Sequence, residues 1–252
     1  MRSVRPYLIG RRIVAARFTS RWVTPGKRAK LAARLAGRRI ESVGRRGKFI
    51  LIGLDRGTLT IHLGMTGKLL TNGKLDPHTH GVFTLDDGVL LYHDPRQFGS
   101  IEWSPEGSPR VARLGPEPLE VTLDEFRQRL RRKARVKALL LNQSFIAGVG
   151  NIYADESLFA AGIHPLAIAA SLSRIRAERL HTALRGILTH AIELGGSSIS
   201  DYVNAQGERG WFQMEHRVYG REGEPCANCG GAVRKILVAQ RGTHFCPRCQ
   251  RR

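Results

Sequence analysis

Four cysteines near the carboxyl end are the feature that most restricts the fold of this chain. They form two C-x-x-C pairs, Cys226 with Cys229 and Cys246 with Cys249, and the sequence has no other cysteine. Two such pairs, separated by residues 230–245, have the ligand spacing of a zinc ribbon. Four thiolates fill a tetrahedral site, so one structural Zn²⁺ is predicted, with no open position for a substrate. Two disulfides are the alternative, but a C-x-x-C bridge would close an unusually small loop.

The chain is strongly basic along its whole length. Its 252 residues include 41 Lys and Arg against 21 Asp and Glu, a net charge of +20. The basic clusters lie at 11–12, 38–39, 45–48, 127–137 and 248–252. A distributed positive field attracts polyanions, of which nucleic acid is the commonest, although basic ribosomal and membrane-surface proteins share this property. No apolar run approaches the ~20 residues that span a bilayer, and no targeting segment is evident, so a cytoplasmic protein without a membrane partner is expected.

Residues 10–103 carry the pattern of an antiparallel β domain. Short apolar runs are separated by Asp55-Arg56-Gly57 and Asp86-Asp87-Gly88, which are typical of hairpin turns. The predicted strands are 48–54, 58–63, 82–85 and 89–93. Short strands at this spacing favour a sandwich or a barrel.

Four helices are predicted after this domain. Thr122-Leu123-Asp124-Glu125 has the pattern of a capping box, and Phe126 and Leu130 continue it with helical spacing. The other helices cover about 134–141, 151–161 and 175–192. Residues 197–225 are glycine-rich and polar, which predicts a long loop of the kind that often carries function.

These patterns predict an α+β multidomain fold. A sandwich of the catalytic type occupies 1–103, and a linker with four prolines occupies 104–119. A helical domain follows at 120–215, and the zinc ribbon at 216–252 completes the chain.

Residues 142–156 form the most specific stretch outside the cysteines. They read as a helix, a turn containing Gly148 and Gly150, and a new helix that starts at Asn151. Backbone N–H groups at a helix start favour a phosphate, and Asn151 adds a side-chain donor. A plain N-cap asparagine is the alternative.

This stretch, with 63–67, 94–99 and the cysteine ribbon, closely resembles the formamidopyrimidine-DNA glycosylase/endonuclease VIII family. The resemblance extends from Gly10 to the carboxyl end. It implies an N-terminal β-sandwich, a helix–two-turn–helix domain and a C-terminal zinc-ribbon β-hairpin. It also implies excision of oxidised bases from duplex DNA, followed by cleavage of the abasic strand.

The resemblance implies a void-filling role for Met65, Arg96 and Phe98 when the damaged nucleotide leaves the helix. Extruding a base costs a few kcal/mol of stacking, part of which an apolar wedge replaces. Arg96 would also donate to the orphaned partner base.

Further roles follow from the same resemblance. Lys48 matches a lysine that assists proton transfer during strand cleavage, and Arg241 matches an arginine that binds the phosphate beside the lesion and assists the second elimination. The matched DNA-contacting residues are His78, Arg96, Arg132, Lys137 and Asn151. In a chain this basic, Lys48 and Arg132 also have the simpler interpretation of solvated surface cations.

The start of the chain departs from the family pattern. The family's nucleophile is an N-terminal proline followed by glutamate, whose secondary amine attacks the sugar C1′. This chain starts at Met1, in what resembles the middle of the family's first helix, so about nine residues of that pattern are absent. The nitrogen of Pro6 lies in a peptide bond and cannot substitute. Two interpretations compete: a start codon assigned too far downstream, which the intact later motifs favour, or a non-catalytic relative.

The leading prediction is therefore a monomeric base-excision-repair glycosylase and abasic-site lyase, bacterial and nucleoid-associated. Oxidised purines are the predicted substrates, because of Phe98 in the wedge and because the long loop before Val218-Tyr219-Gly220-Arg221 resembles one that caps an oxidised guanine. A damaged-DNA-binding relative without catalysis is the first rival. A basic zinc-ribbon protein of transcription or translation is a more distant one, which leaves the wedge residues without a role.

Overall fold

The computed structural model describes residues 4–198 and 205–252, which form two compact units. The first unit contains the residues up to Arg113 and the segment 197–210. The second contains 114–196 and 211–252.

The first unit is an antiparallel β-sandwich, as predicted. Its strands are β1 (Ile13–Phe18), β2 (Ile40–Arg46), β3 (Phe49–Leu54), β4 (Thr58–His62), β5 (Lys68–Thr71), β6 (Thr79–Leu85), β7 (Val89–His93) and β8 (Ser100–Ser104). One sheet has the order β1-β6-β7-β5, and the other has the order β2-β3-β4-β8. Apolar side chains of both sheets meet in one core, which includes Ile52, Ile61, Phe83 and Tyr92. Four of the eight strands match predicted ones; β1, β2, β5 and β8 are more polar and were not assigned individually.

Three short helices accompany the sandwich. They are α1 (Arg5–Leu8), α2 (Arg28–Leu35) and α3 (Pro109–Ala112), the last inside the predicted linker. The sequence patterns do not predict α2, because it buries only one full side chain, Leu35, with Leu31 one turn earlier half-buried. Such a short apolar stripe gives a weak periodic signal.

Helices dominate the second unit. They are α4 (Leu123–Leu130), α5 (Val136–Leu141), α6 (Asn151–Ala160) and α7 (Arg174–Glu193). Thr122 caps α4 by accepting the Glu125 N–H at 3.2 Å, but the Glu125 carboxylate pairs with Arg129 instead of returning to the cap. Half of the predicted capping box therefore forms. Leu140, Phe145, Leu158 and Leu180 belong to the shared core of the four helices.

The zinc-finger part is a hairpin of β9 (Arg234–Val238) and β10 (Arg241–Phe245). Within the predicted loop 197–225, Ala205 packs into the sandwich core, and a 3₁₀ helix covers Phe212–Glu215. Residues 199–204 of that loop lie outside the described residues. Within the described ranges, no helix combines the length and the apolar character needed to cross a membrane.

Candidate functional site

Two turns of the first unit pack against each other and are called the paired turns here, residues 63–67 and 94–99. Gly64 has φ 64°, and a Cβ there would lie 2.6 Å from the carbonyl carbon of Phe98. Only glycine permits this backbone approach. The glycines of the two motifs therefore fix the position of one turn on the other.

A buried carboxylate holds the paired turns together. Asp94 has no exposed surface and accepts hydrogen bonds from Thr66 Oγ1 at 2.6 Å, the Gly99 N–H at 2.9 Å and the Tyr92 hydroxyl at 3.1 Å. Burial, followed by the charge of Asp94, raises the pKa of Tyr92 well above its usual range, so this hydroxyl remains a donor. The sequence motif contains Asp94, but nothing in its spacing distinguishes it as the anchor.

The predicted void-filling side chains project from these turns into solvent. Met65 is 62% exposed and Phe98 is 57% exposed. The Arg96 guanidinium lies 4.6 Å from the centroid of the Phe98 ring. Arg96 and Phe98 therefore project together from one turn, and Met65 projects from the turn that packs against it.

Lys48 lies beside the first of these turns. It is exposed in the β2–β3 connection, and the β3–β4 ladder pairs the next residue, Phe49, with His62. The register therefore places Lys48 next to the start of the turn at residue 63. Burial, with the nearby charges of Arg110 and Lys48, lowers the pKa of His62.

His62 is a candidate residue that the sequence patterns do not indicate. Its Nδ1 accepts the Gly64 N–H at 3.1 Å. Because its pKa is lowered, the ring is neutral near pH 7, and a neutral ring that accepts at Nδ1 carries its proton at Nε2. His62 thus offers an N–H donor close to Lys48.

His78 is exposed and belongs to a histidine cluster in the same unit. Its backbone N–H donates to Asp76 at 2.9 Å, and its ring lies 5.7 Å from that of His93. Asp76 also pairs with His93 Nε2 at 2.7 Å. These contacts fix the backbone and ring of His78 at the surface.

In the second unit, the four cysteines converge. Their sulfur atoms all lie within 4.8 Å of one another, and none forms a disulfide. Cys226 and Cys249 are 3.8 Å apart, and Cys229 and Cys246 are 3.5 Å apart. A zinc tetrahedron with Zn–S bonds of about 2.3 Å has edges of about 3.8 Å, so the sulfur positions fit this ion.

The four thiols differ in acidity. The Gly231 N–H, which donates to the sulfur, lowers the pKa of Cys229 to about 7, whereas burial raises the pKa of Cys246 and raises that of Cys249 to about 12. Zinc binds thiolates, so its binding would displace protons from these cysteines. Residues of the ribbon pack on helix α6, since Phe159 shares a small core with Val218 and Val233. Gln250 adds a hydrogen bond to the Ile163 carbonyl at 2.9 Å.

Arg241 flanks the two-residue turn of the β9–β10 hairpin and is exposed. The turn residues Ala239 and Gln240 both have positive φ, at 49° and 59°. This combination is typical of a type I′ turn, which non-glycine residues adopt only at some energetic cost. Gly242, which follows Arg241, accepts hydrogen bonds at its carbonyl oxygen from Asn151 Nδ2 at 2.9 Å and from Lys137 Nζ at 3.3 Å.

Lys137, predicted above to contact DNA, is fully buried in this structure. Its Nζ lies 2.6 Å from Asp155 Oδ1, also fully buried, and donates to Thr243 Oγ1 at 2.7 Å. Burial lowers the pKa of Lys137, and the Asp155 carboxylate opposes that shift. The contacts of Lys137 tie α5 to the hairpin that carries Arg241.

Helix α6 supplies two further anchors that the sequence patterns missed. The Asp155 carboxylate accepts the His244 N–H at 2.9 Å. Glu156 accepts three successive backbone N–H groups, of Arg217, Val218 and Tyr219, at 3.0, 3.0 and 2.8 Å. Burial raises the pKa of Glu156, and these donors counteract the shift. Both carboxylates fix segments that flank the metal centre.

Arg132 and Asn151 lie at the ends of neighbouring helical elements. Arg132 is exposed just before α5, and Asn151 is half-buried at the first turn of α6. The Asn151 side chain is directed to the Gly242 carbonyl, so it is positioned by the hairpin as well as by its own helix.

Comparison with known proteins covers nearly the whole chain. Three family models match: the formamidopyrimidine-DNA glycosylase N-terminal domain at residues 1–101, the formamidopyrimidine-DNA glycosylase H2TH domain at 114–203, and a zinc finger found in FPG and IleRS at 223–252. The formamidopyrimidine-DNA glycosylase of Solibacter usitatus is 56% identical over 255 residues, covering 100% of this chain and 96% of that protein. That of Bacillus subtilis is 44% identical, covering 90% and 86%.

Solved structures agree. The MutM (Fpg) protein of Thermus thermophilus matches with a TM-score of 0.90 and 44% identity, covering 99% of this chain and 95% of that one. The Lactococcus lactis Fpg, in a complex with DNA containing an abasic site, matches with a TM-score of 0.91 and 36% identity, covering 100% and 96%. With matched sequence models along the chain and a matching fold, this protein belongs to the formamidopyrimidine-DNA glycosylase family.

Proposed function

We propose that this protein is a base-excision-repair DNA glycosylase with abasic-site lyase activity. Its proposed substrates are oxidised purines, such as 8-oxoguanine and formamidopyrimidines, in duplex DNA. The observation that carries the proposal is the exposed apolar pair, Met65 and Phe98, on glycine-packed turns beside the Arg96 guanidinium. An enzyme that extrudes a base needs a rigid projection of this kind to occupy the vacated space.

The proposed partner is duplex DNA that contains an oxidised base or an abasic site. The net charge of +20 supports a strong, salt-dependent attraction to the phosphate backbone. A Lactococcus lactis relative has been crystallised with DNA containing Fapy-dG, which supports formamidopyrimidines as a substrate class. The proposed organisation retains the sandwich at 1–103, the linker at 104–119, the helical domain at 120–215 and the zinc finger at 216–252.

The positions of the site residues support the roles proposed for them. Lys48 is exposed beside the paired turns and is proposed to assist proton transfer during strand cleavage. Arg241, exposed on the anchored hairpin, is proposed to bind the phosphate next to the lesion and to assist the second elimination. His78, Arg132 and Asn151 are proposed DNA contacts. One structural Zn²⁺, held by the four cysteines, is proposed to keep the hairpin rigid.

The DNA-binding roles predict different defects for two arginines. Arg241→Ala should weaken binding to abasic-site duplex by about tenfold, because a fixed guanidinium–phosphate contact is lost. Arg96→Ala should leave undamaged-duplex binding nearly unchanged and reduce the preference for lesion-bearing duplex. Fluorescence anisotropy with both duplexes, over a range of salt concentrations, measures these effects.

Arg113→Ala is a matched control, since Arg113 is exposed and has no proposed role. It should bind both duplexes as the parent does. Parent-like binding by both the Arg96 and Arg241 variants would refute the site assignment.

The lyase step requires an amine nucleophile that forms a C–N bond to the sugar C1′ as the base departs. The resulting iminium acidifies the C2′ proton, whose removal expels the 3′ phosphate. A polypeptide limited to residues 1–252 is therefore expected to bind abasic-site DNA but to cut it slowly. The same chain preceded by the family's Pro-Glu start should cut rapidly, with β,δ-elimination. Borohydride reduction, which traps the iminium as a covalent adduct, measures the difference.

The extended polypeptide with its first proline changed to glycine tests whether the secondary amine itself matters. Equal trapping by the 252-residue and extended polypeptides would show that the nucleophile lies within residues 1–252, with the Met1 amine and Lys48 as the first suspects. No adduct with the extended polypeptide, despite tight binding, would favour the rival function of a damaged-DNA-binding relative.

A further inference from the structure

A cleft of about 380 Å³ lies in the first unit, between helix α2 and the edge strand β8. Its volume is within the range of about 300–1,000 Å³ that small-molecule sites occupy. None of the proposed DNA-handling residues lines it. Its chemistry therefore calls for a separate explanation.

The helix side of the cleft is positively charged. Lys27 precedes α2, and Lys30 and Arg34 follow at spacings of three and four residues, which brings the three cations to one face. Among residues 4–198 and 205–252, no carboxylate lies within ion-pair distance of these cations. Glu102 lines the opposite side, but its carboxylate already pairs with Arg110 at 2.8 Å. The cleft thus holds uncompensated positive charge that favours an anion.

An aromatic ring forms part of the strand side. Trp103 is half-buried and is oriented by a hydrogen bond from its Nε1 to the Arg56 carbonyl at 3.2 Å. The Arg34 guanidinium lies 4.9 Å from the ring centroid. Because Arg34 lies over the ring face, a planar base would contact the part of the half-buried indole that Arg34 leaves exposed, or would displace the guanidinium.

Two buried hydroxyl groups also belong to the lining. Thr60 is 3% exposed and Ser108 is 6% exposed. Neither Oγ has a hydrogen-bond partner among the described residues. Buried polar atoms are rarely left in this state, because the lost hydration costs free energy. Both oxygen atoms have almost no solvent-accessible surface, so these hydroxyls lie beneath the wall of the cleft and do not contact an occupant.

We propose that this cleft binds a nucleoside phosphate, with the phosphate against Lys27 and Lys30 and the planar base against Trp103. Inorganic phosphate would satisfy the cations but leave the indole and much of the volume unused. An apolar ligand would leave the cations without a partner. The nucleoside phosphate has two possible sources, a free mononucleotide or an unpaired nucleotide of a nucleic-acid strand.

The experiment uses the full chain with Trp22→Phe and Trp211→Phe, so that Trp103 is the remaining tryptophan. Its fluorescence is titrated with dGMP, deoxyguanosine, inorganic phosphate and single-stranded tetrathymidylate. Saturable quenching by dGMP is expected, with affinity at least about tenfold above that for deoxyguanosine or phosphate, because each lacks one half of the recognised group. Saturable quenching by tetrathymidylate but not by dGMP would assign the site to a nucleic-acid strand; the reverse would assign it to the free nucleotide.

Lys30→Glu should weaken the binding of the quenching ligand by about tenfold or more, because an attractive contact with the phosphate becomes a repulsive one. Lys74→Glu, an equal charge change at an exposed lysine of the same unit that does not line the cleft, should change the affinity by less than about twofold. Thermal unfolding checks that both variants remain folded. Absence of saturable quenching by either nucleotide ligand, or equal affinities for the two lysine variants, would overturn the proposal. No damaged DNA is used, so the result is independent of the proposed glycosylase function.

Discussion

Cys246→Ser is expected to abolish both zinc binding and DNA binding. The ribbon has only a small core, in which Cys226 and Cys246 are themselves buried members. Binding of structural zinc contributes about 10–16 kcal/mol to small zinc-finger peptides at pH 7, so the hairpin cannot keep its conformation without the ion. Loss of the hairpin removes the fixed position of Arg241, and the phosphate contact is lost with it.

Elemental analysis and anisotropy with abasic-site duplex measure the two effects. Asn228→Ala is the matched control, since Asn228 is exposed between two of the cysteines and offers no sulfur ligand. It should retain one zinc per chain and bind DNA as the parent does. Purified parent protein that contains no zinc would refute the metal assignment.

Lys137→Met is expected to reduce the free energy of unfolding by about 3–5 kcal/mol, because it leaves the buried Asp155 carboxylate without its cation. Lys137 also holds Gly242 and Thr243, so DNA affinity should fall even where the variant remains folded. Urea denaturation measures the stability loss, and anisotropy below the unfolding transition measures the binding loss.

Two further variants distinguish a buried ion pair from a DNA contact. Lys133→Met removes an exposed lysine of the same basic cluster and should change stability by less than about 0.5 kcal/mol. Asp155→Asn combined with Lys137→Met should recover part of the lost stability, since no uncompensated charge remains. A Lys137→Met protein as stable as the parent, but weak in DNA binding, would favour the direct DNA contact that the family resemblance implies.

Features set by residues close together in the chain could be predicted from the sequence. The two C-x-x-C pairs specify the metal knuckles, because each pair places two sulfurs on one tight turn. Thr122 marks the start of α4 because a cap and its N–H partner are three residues apart. The hairpin strands β3, β4, β6 and β7 were predictable because their apolar residues are dense and their turns are Asp- and Gly-rich.

Only the tertiary structure decided which cations of the basic run at residues 127–137 are exposed and which are buried. Arg132 and Lys137 belong to the same basic run, yet Arg132 is exposed and Lys137 is fully buried. The difference arises from Asp155 and from Thr243, a residue 106 positions away that accepts the Lys137 hydrogen bond. No local pattern contains that information, because burial depends on which remote segment covers a side chain.

The same reason explains the anchors that the sequence did not identify. Asp94 accepts a hydrogen bond from Thr66, which lies 28 positions earlier in the chain, and so joins two turns. Glu156 accepts hydrogen bonds from N–H groups that lie more than 60 positions later. Their carboxylates are ordinary in sequence and become distinctive only when the fold buries them against specific donors. The sequence by itself determined the family, the four cysteines that cluster and the order of the domains. Packing between distant segments determined which charged side chains are exposed for binding and which ones hold them in place.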